Sequence, residues 1–281
     1  MKHTTINING RLLTFSHPLV MGIVNLTEDS FYDGGKYCDF DRAMARCEQV
    51  IDEGADMIDL GACSTRPGAA LVSAEEEIDR LLPVIKEVKK RYPQSIISID
   101  TVWSEVVEAS VAVGADIVND ISGGQFDNAL FETVACCNVP YILTHTNTTP
   151  DKMQQSIHYD NLILDISKYF AQKITSLHDL GVRDIILDLG FGFGKTLEDN
   201  YELLRRQKEF EVFDLPILTG ISRKSMIYKA LDNSPSEALN GTSFLHAFAL
   251  ENGASILRVH DVKEAVQCIK LFSLYNKDSK Q

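Results

Sequence analysis

Residues 19–35 read LVMGIVNLTEDSFYDGG. The apolar run Leu19–Val24 stops at Asn25. A loop of Thr, Glu, Asp, Ser and Gly follows, and a helical pattern begins near Phe40. This is the grammar of a buried strand, a long loop and a helix. The loop is too acidic and too long for a plain connector, so it marks one mouth of the fold as the place to look for chemistry.

The same grammar repeats to the end of the chain. Strand-like runs lie at 19–25, 57–61, 96–101, 117–121, 141–145, 185–190, 217–222 and 255–261. Helical patterns lie between and after them, at 40–53, 74–91, 104–113, 128–136, 159–180, 198–210, 224–251 (broken near Asn233-Ser234-Pro235) and 262–275. Strands apolar on both faces, each followed by a helix, predict an α/β fold, a (β/α)8 TIM barrel. A doubly wound open sheet is the structural alternative. Gly54, Gly114, Gly181 and Gly253 each precede a strand, which fits tight helix-to-strand turns with a left-handed residue past the helix end. Before the first strand, the alternation around Asn9-Gly10 predicts an N-terminal β-hairpin. We expect one domain over residues 1–281, with the hairpin in 1–16 and a polar tail at 276–281.

The chain has 281 residues and a formal net charge of −13. That charge argues against nucleic acid and anionic membrane surfaces as partners. An anionic substrate would need local cations or a metal ion. No apolar run reaches the ~20 residues of a membrane helix, and MKHTTINING lacks the apolar stretch of a secretory signal. A cytoplasmic protein is the expectation. The six cysteines form no CxxC pair and no zinc spacing, and Cys136 and Cys137 read as core thiols.

Barrel enzymes work at the C-terminal ends of their strands. Those ends carry Asn25, Asp59, Asp100, Asn119, His145, Asp188, Ser222 and His260. Each alone reads most simply as a helix cap or a loop hydrogen bond; eight converging on one mouth suggest a site. Cations fall at the same places: Arg66, Lys195, Arg223, Lys224 and Arg258. Arg258 lies inside an apolar strand and needs an anion or a carboxylate partner. Acidic and amide groups suit the edge of a flat heterocycle, and a basic rim suits a phosphate or pyrophosphate. Gly190–Thr196, GFGFGKT, resembles a phosphate loop but has Leu189 where that pattern needs glycine. It reads instead as a Gly-rich loop that lets Phe191 or Phe193 pack on a flat ligand. Glu75-Glu76-Glu77 reads as a solvated first helical turn favoured by the helix dipole.

Taken in order, MGIVNLTEDSFYDGG, DLGACSTRPGA, SIDT, IVNDISGG, DLGFGFGKT, GISRKS, Gly241-Thr242 and RVHDV resemble the dihydropteroate synthases, the pterin-binding transferases of folate biosynthesis. The resemblance runs from Leu19 to Val262. It implies that Asp100, Asn119, Asp188, Lys224 and Phe193 hold the pterin. It implies pyrophosphate contacts from Asn25, Thr65, Arg66, Arg258 and His260, with Asn25 also binding Mg2+. Phe31, Pro67, Ser222 and Lys224 would surround p-aminobenzoate, with Phe193 close by. Arg66, Lys224, Arg258, His260 and Asp33 would carry the catalysis, Asp33 facing the reacting carbon. The implied reaction joins (7,8-dihydropterin-6-yl)methyl diphosphate to p-aminobenzoate and releases pyrophosphate. The family also suggests a homodimer.

Four stretches depart from the family pattern. Glu28 stands where Pro is usual, and Cys63 where Glu is usual. Thr144-His145-Thr146 replaces Met-His-Met, and Leu189 replaces the Pro of Asp-Pro-Gly. None removes a charged ligand. Two other functions remain as alternatives: a non-catalytic pterin-binding paralogue, and a methyltransferase that passes a methyl group from a folate to a corrinoid protein. The second would have no evident use for Ser64–Gly68 or Arg258-Val259-His260.

Overall fold

The structure, a computed structural model, describes residues 5–26, 36–62, 72–146 and 158–276. The chain opens with an antiparallel hairpin, β1 (Thr5–Ile8) and β2 (Arg11–Thr14). Asn9 and Gly10 both have positive φ, 50° and 84°, as the tight turn between twisted strands requires. The barrel follows: β3 (Leu19–Asn25), α1 (Lys36–Asp52), β4 (Met57–Gly61), α2 (Ala74–Arg91), β5 (Ile96–Asp100), α3 (Ser104–Ala112), β6 (Ile117–Asp120) and α4 (Leu130–Cys137). Its second half comprises β7 (Tyr141–Thr144), α5 (Leu162–Asp179), β8 (Ile185–Asp188), α6 (Leu197–Arg206), β9 (Ile217–Thr219), α7 (Ser225–Tyr228), α8 (Leu239–Glu251), β10 (Ile256–Val259) and α9 (Val262–Tyr275). The strands β3 to β10 pair in parallel and close, β10 against β3. Closure excludes the open-sheet alternative.

Strand alternation produces two cores. Outward residues such as Ile58, Leu60, Ile97, Ile99, Val118, Leu143, Leu187 and Val259 join the helices in one cluster. Inward residues Met21, Met57, Ile96, Ile117, Ile142, Ile186, Leu218 and Ile256 form a second cluster, which also takes in Ile6, Ile8 and Phe15. The hairpin is therefore the plug at the N-terminal end of the barrel. Asn7 N–H donates to Asp184 Oδ1 at 2.8 Å and Asn9 Nδ2 to Asp116 Oδ1 at 3.0 Å, tying the plug to the barrel. Gly54, Gly114, Gly181 and Gly253 have φ of 95°, 114°, 94° and 88°, so the expected helix-to-strand turns are present.

Several boundaries and two readings change. The strands expected to run to Gly190 and Ser222 end at Asp188 and Thr219. At the first, Asp188 Oδ1 accepts from Gly190 N–H at 2.8 Å and turns the chain out of the sheet. The 224–251 region breaks as expected into α7, a 3-10 turn at Pro235–Glu237 and α8. Cys136 and Cys137 are not core thiols. They lie in the last turn of α4, where Cys136 is exposed and Cys137 half-buried. Glu77 is not solvated: it turns under the barrel rim and is completely buried, while Glu75 and Glu76 stay exposed.

Candidate active site

The same two-residue period that builds the inner core changes character one step up each strand. Above Met57 stands Asp59. Above Ile96 stand Ser98 and Asp100, above Ile117 Asn119, above Ile142 Thr144, above Ile186 Asp188 and above Ile256 Arg258. An inner polar layer so formed must satisfy itself or a ligand. Asp59 is its hub. Its Oδ1 accepts from Ser98 Oγ at 2.6 Å. Its Oδ2 accepts from Asn119 Nδ2 at 3.1 Å and from Arg258 Nε at 2.7 Å. Arg258 Nη2 reaches Asp100 Oδ2 at 2.6 Å. Asn119 Oδ1 and Thr144 Oγ1 are buried with no hydrogen-bond partner.

The electrostatics follow from crowding. Burial pushes the Asp100 carboxyl up to about 7; Asp59, Asp120 and Asp188 add to that push and Arg258 opposes it. Burial disfavours the charge on Arg258, but Asp59 and Asp100 outweigh it and hold the guanidinium ionised. Lys224 Nζ donates to Phe191 O at 2.5 Å and lies 4.8 Å from the centre of the Phe193 ring. Burial lowers its amine to about 8, against the pull of Asp188. The floor thus carries Arg258 and Lys224 as well as its acids, so the positive charge is inside the mouth and not confined to its edge.

At the edge, Ser222 Oγ is 3.2 Å from His260 Nδ1 and accepts from His260 N–H at 3.2 Å. Arg46, on α1, donates to His260 O at 2.5 Å. Burial first, and Arg258 second, lower His260 to about 4. It is a neutral imidazole at neutral pH, a donor or acceptor and not a cation. Arg223 turns away: its guanidinium pairs with both Asp261 oxygens, at 2.8 and 2.7 Å, and caps Pro235 O and Ser236 O. Asn25 ends β3 in register with Gly61, which is in register with Asp100. A Cβ on Gly61 would lie 3.7 Å from Asn25 Oδ1 and 3.8 Å from Asp100 Oδ2, so the absence of a side chain there leaves the two groups facing a common space.

One side of the mouth is apolar. Val102, Ile121 and Phe193 form a small cluster of their own, against which Trp103 and Phe126 pack. Trp103 Nε1 donates to Val72 O at 3.0 Å. On the same side Glu77 Oε2 accepts from Thr101 Oγ1 at 2.6 Å, which fixes the residue after Asp100.

The structure brings together Asn25, Asp100, Asn119, Asp188, Phe193, Ser222, Lys224, Arg258 and His260 at one end of the barrel. Phe31, Asp33, Thr65, Arg66 and Pro67, together with Glu28 and Cys63, lie outside the described residues. Asp59 was legible only as a strand end; the usable signal was an acid at an inward position of a strand apolar on both faces. Trp103 gave no signal and Glu77 only that of a solvated helix start, since their partners are distant in sequence.

A barrel with a polar inner layer, an aromatic wall and paired cations at its C-terminal end defines a class of small-molecule enzyme. The pterin binding enzyme family model matches residues 21–260. The chain is 44% identical over 264 residues to dihydropteroate synthase of Escherichia coli (strain K12), covering 93% of each. It is 37% identical to that of Haemophilus influenzae, covering 94% of this chain and 96% of the relative. A Yersinia pestis dihydropteroate synthase structure with a sulfonamide drug complex superposes with a TM-score of 0.92 at 39% identity, covering 98% and 100% of the two chains. A Xanthomonas albilineans structure with 4-aminobenzoic acid gives 0.91 at 34%, covering 99% and 100%. The chain belongs to the pterin binding enzymes and, within them, to the dihydropteroate synthases, transferases of folate biosynthesis.

Proposed function

We propose that the mouth divides the synthase reaction among its groups as follows. The unpartnered Asn119 Oδ1, buried on β6 in register with Asp100 of β5, is the observation that carries the reading. A buried acceptor without a donor is costly unless a ligand supplies one. Asn119, Asp100 and Asp188 hold the polar edge of the pterin, Phe193 covers its face and Lys224 closes the pocket from the other side. Arg258, anchored on Asp59 and Asp100, places positive charge beneath the reacting carbon. His260, with Thr65 and Arg66 from the second loop, receives the pyrophosphate. Asp33 faces the carbon as its bond to the leaving group weakens.

p-Aminobenzoate enters between the pyrophosphate side and the loops, against Ser222 and Lys224, with Phe31 and Pro67 completing its pocket. An arylamine is a weak nucleophile, so stabilising the departing charge dominates the barrier. The arylammonium product is acidic and needs no strong base. His145 and His260 are therefore not assigned that role.

Mg2+ suits this site. Among the described residues there is no group of three or more His, Cys, Asp or Glu able to hold a metal. Asn25 offers one hard oxygen at the mouth, which fits an ion that takes most of its ligands from phosphate and water. When bound, it would offset charge on the leaving group.

The apolar surface of α8 and α9 supports a homodimer: Phe244, Phe248, Leu271, Leu274 and Tyr275 are all exposed, and Phe244 and Phe248 stack edge to face at 5.1 Å. No helix among the described residues is long and apolar enough to cross a membrane. The acidic charge and the free thiols of Cys47, Cys136, Cys137 and Cys268 among the described residues support work in the cytoplasm, with residues 1–281 acting as one domain.

The test is to incubate the protein with the pterin diphosphate, p-aminobenzoate and Mg2+ and to follow pyrophosphate. Amine-dependent release supports the reading. Pterin binding without release would establish the non-catalytic alternative.

A further inference from the structure

The lysine of the glycine-rich loop remains unexplained by the reaction. Lys195 Nζ points inward, not to the mouth. It donates to Gly190 O at 2.8 Å and to Phe193 O at 3.2 Å, and lies 2.9 Å from His145 Nδ1. A protonated amine has three N–H groups, and all three are used. His145 Nδ1 must then accept, which puts the ring proton on Nε2, a buried atom with no partner. The ring itself is fixed by Tyr169, edge-on at 4.8 Å, and by Phe170 at 6.1 Å.

These contacts close a short circuit. Gly190 follows Asp188 by two residues, has a φ of 68° and passes so close to β7 that a Cβ there would lie 2.0 Å from His145 O. Phe193 lies between two lysines: Lys195 holds its carbonyl and Lys224 lies over its ring. Lys224 in turn takes the carbonyl of Phe191. The loop is clamped from behind by Lys195 and from the front by Lys224. A loop with glycine at 190, 192 and 194 has little stiffness of its own.

We propose that Lys195 is a positioning residue which, seated on His145, sets the loop so that Phe193 forms the face of the pterin pocket and Asp188 keeps its inward aim. This rests on the pterin reading above. It assigns the lysine no contact with phosphate. Burial lowers the amine to about 7 while Asp188 supports its charge, as expected for a lysine working inside the fold.

The test uses Lys195→Met, which keeps length and removes the donors, with Lys195→Arg and Phe193→Leu. Trp103 is the only tryptophan in the sequence and packs on the cluster that contains Phe193, so its emission reports the loop without any activity. We expect Lys195→Met to shift Trp103 emission and to raise KM for the pterin diphosphate about tenfold or more, with a smaller change in kcat and in KM for p-aminobenzoate. In the Phe193→Leu background the same change should add less than it does in wild type, because part of its effect runs through that ring. Lys195→Arg should recover part of the affinity. Additive effects in the double variant, or unshifted emission with normal KM, would overturn the proposal. A loss confined to pyrophosphate inhibition would instead make Lys195 a phosphate ligand and also overturn it. If wild type forms no pteroate but binds a diphosphate-free pterin, the emission and affinity comparisons still decide the role of Lys195, while the synthase reading fails alone.

Discussion

Arg258 and Asp59, 199 residues apart in sequence, are joined inside the barrel by a 2.7 Å hydrogen bond from Nε to Oδ2. Asp59 is fully buried and Arg258 nearly so at its side chain, 15% exposed. Burying either group without the other would be costly. The pair is therefore the frame on which Asp100, Asn119 and Ser98 are hung.

Breaking that frame should be costly in a non-additive way. Arg258→Met, which leaves Asp59 and Asp100 without their cation, should lose roughly 3–5 kcal/mol, the usual consequence of stranding buried charge; Asp59→Asn, which leaves Arg258 paired with Asp100, should lose less. The double variant should lose less than the sum. Denaturant unfolding of the three proteins checks this, and strict additivity would show that the two side chains do not depend on each other.

Asp188 has one oxygen already committed to Gly190 N–H at 2.8 Å. Asp188→Asn can keep that bond through its amide oxygen, leaving an NH2 donor toward the ligand. Fold and loop should survive while pterin affinity falls ~10–100-fold, in keeping with a charged hydrogen bond worth ~1.5–3 kcal/mol. Calorimetry with a pyrophosphate-free pterin reads the effect; unchanged affinity would remove Asp188 from the pocket.

Glu77 should give the protein a pH-dependent stability. Burial, with Asp100 adding, raises its carboxyl from 4.5 to about 7; Thr101 and Arg80 oppose this. The folded state therefore holds the proton more tightly than the unfolded chain. The associated stability is complete below pH 4.5 and is lost as pH rises to and through about 7. Glu77→Gln abolishes that titration, so relative to wild type it should gain at pH 8 by up to roughly 3 kcal/mol, from about 2.5 pKa steps of ~1.36 kcal/mol each. Melting curves from pH 5 to 8 test it. Parallel curves for the two proteins would mean that Glu77 ionises in the fold without penalty.

On the outer surface, Phe244 is 63% exposed and Tyr275 84%. If these faces of α8 and α9 meet a second copy, Phe244→Glu should yield monomers at concentrations where wild type is dimeric, by sedimentation velocity. A wild-type protein that is monomeric at tens of micromolar would dismiss the dimer.

The sequence by itself determined the barrel. Eight apolar runs, each followed by a helical period and four helix-ending glycines, left few other ways to bury both faces of the strands. It also determined which strand ends carry polar groups, and so the residue types of the site. Only the tertiary structure decided what those groups do. Closure brought β10 against β3 and sent Arg258 across the interior to Asp59 and Asp100. Burial, which no single residue encodes, made His260 neutral, drew Glu77 out of water and brought Asp100 near neutrality. It also turned Lys195 from a phosphate-like motif into an inward clamp on His145. Strand order and period are local properties legible along a chain, whereas charge states and partners depend on the distances that closure creates.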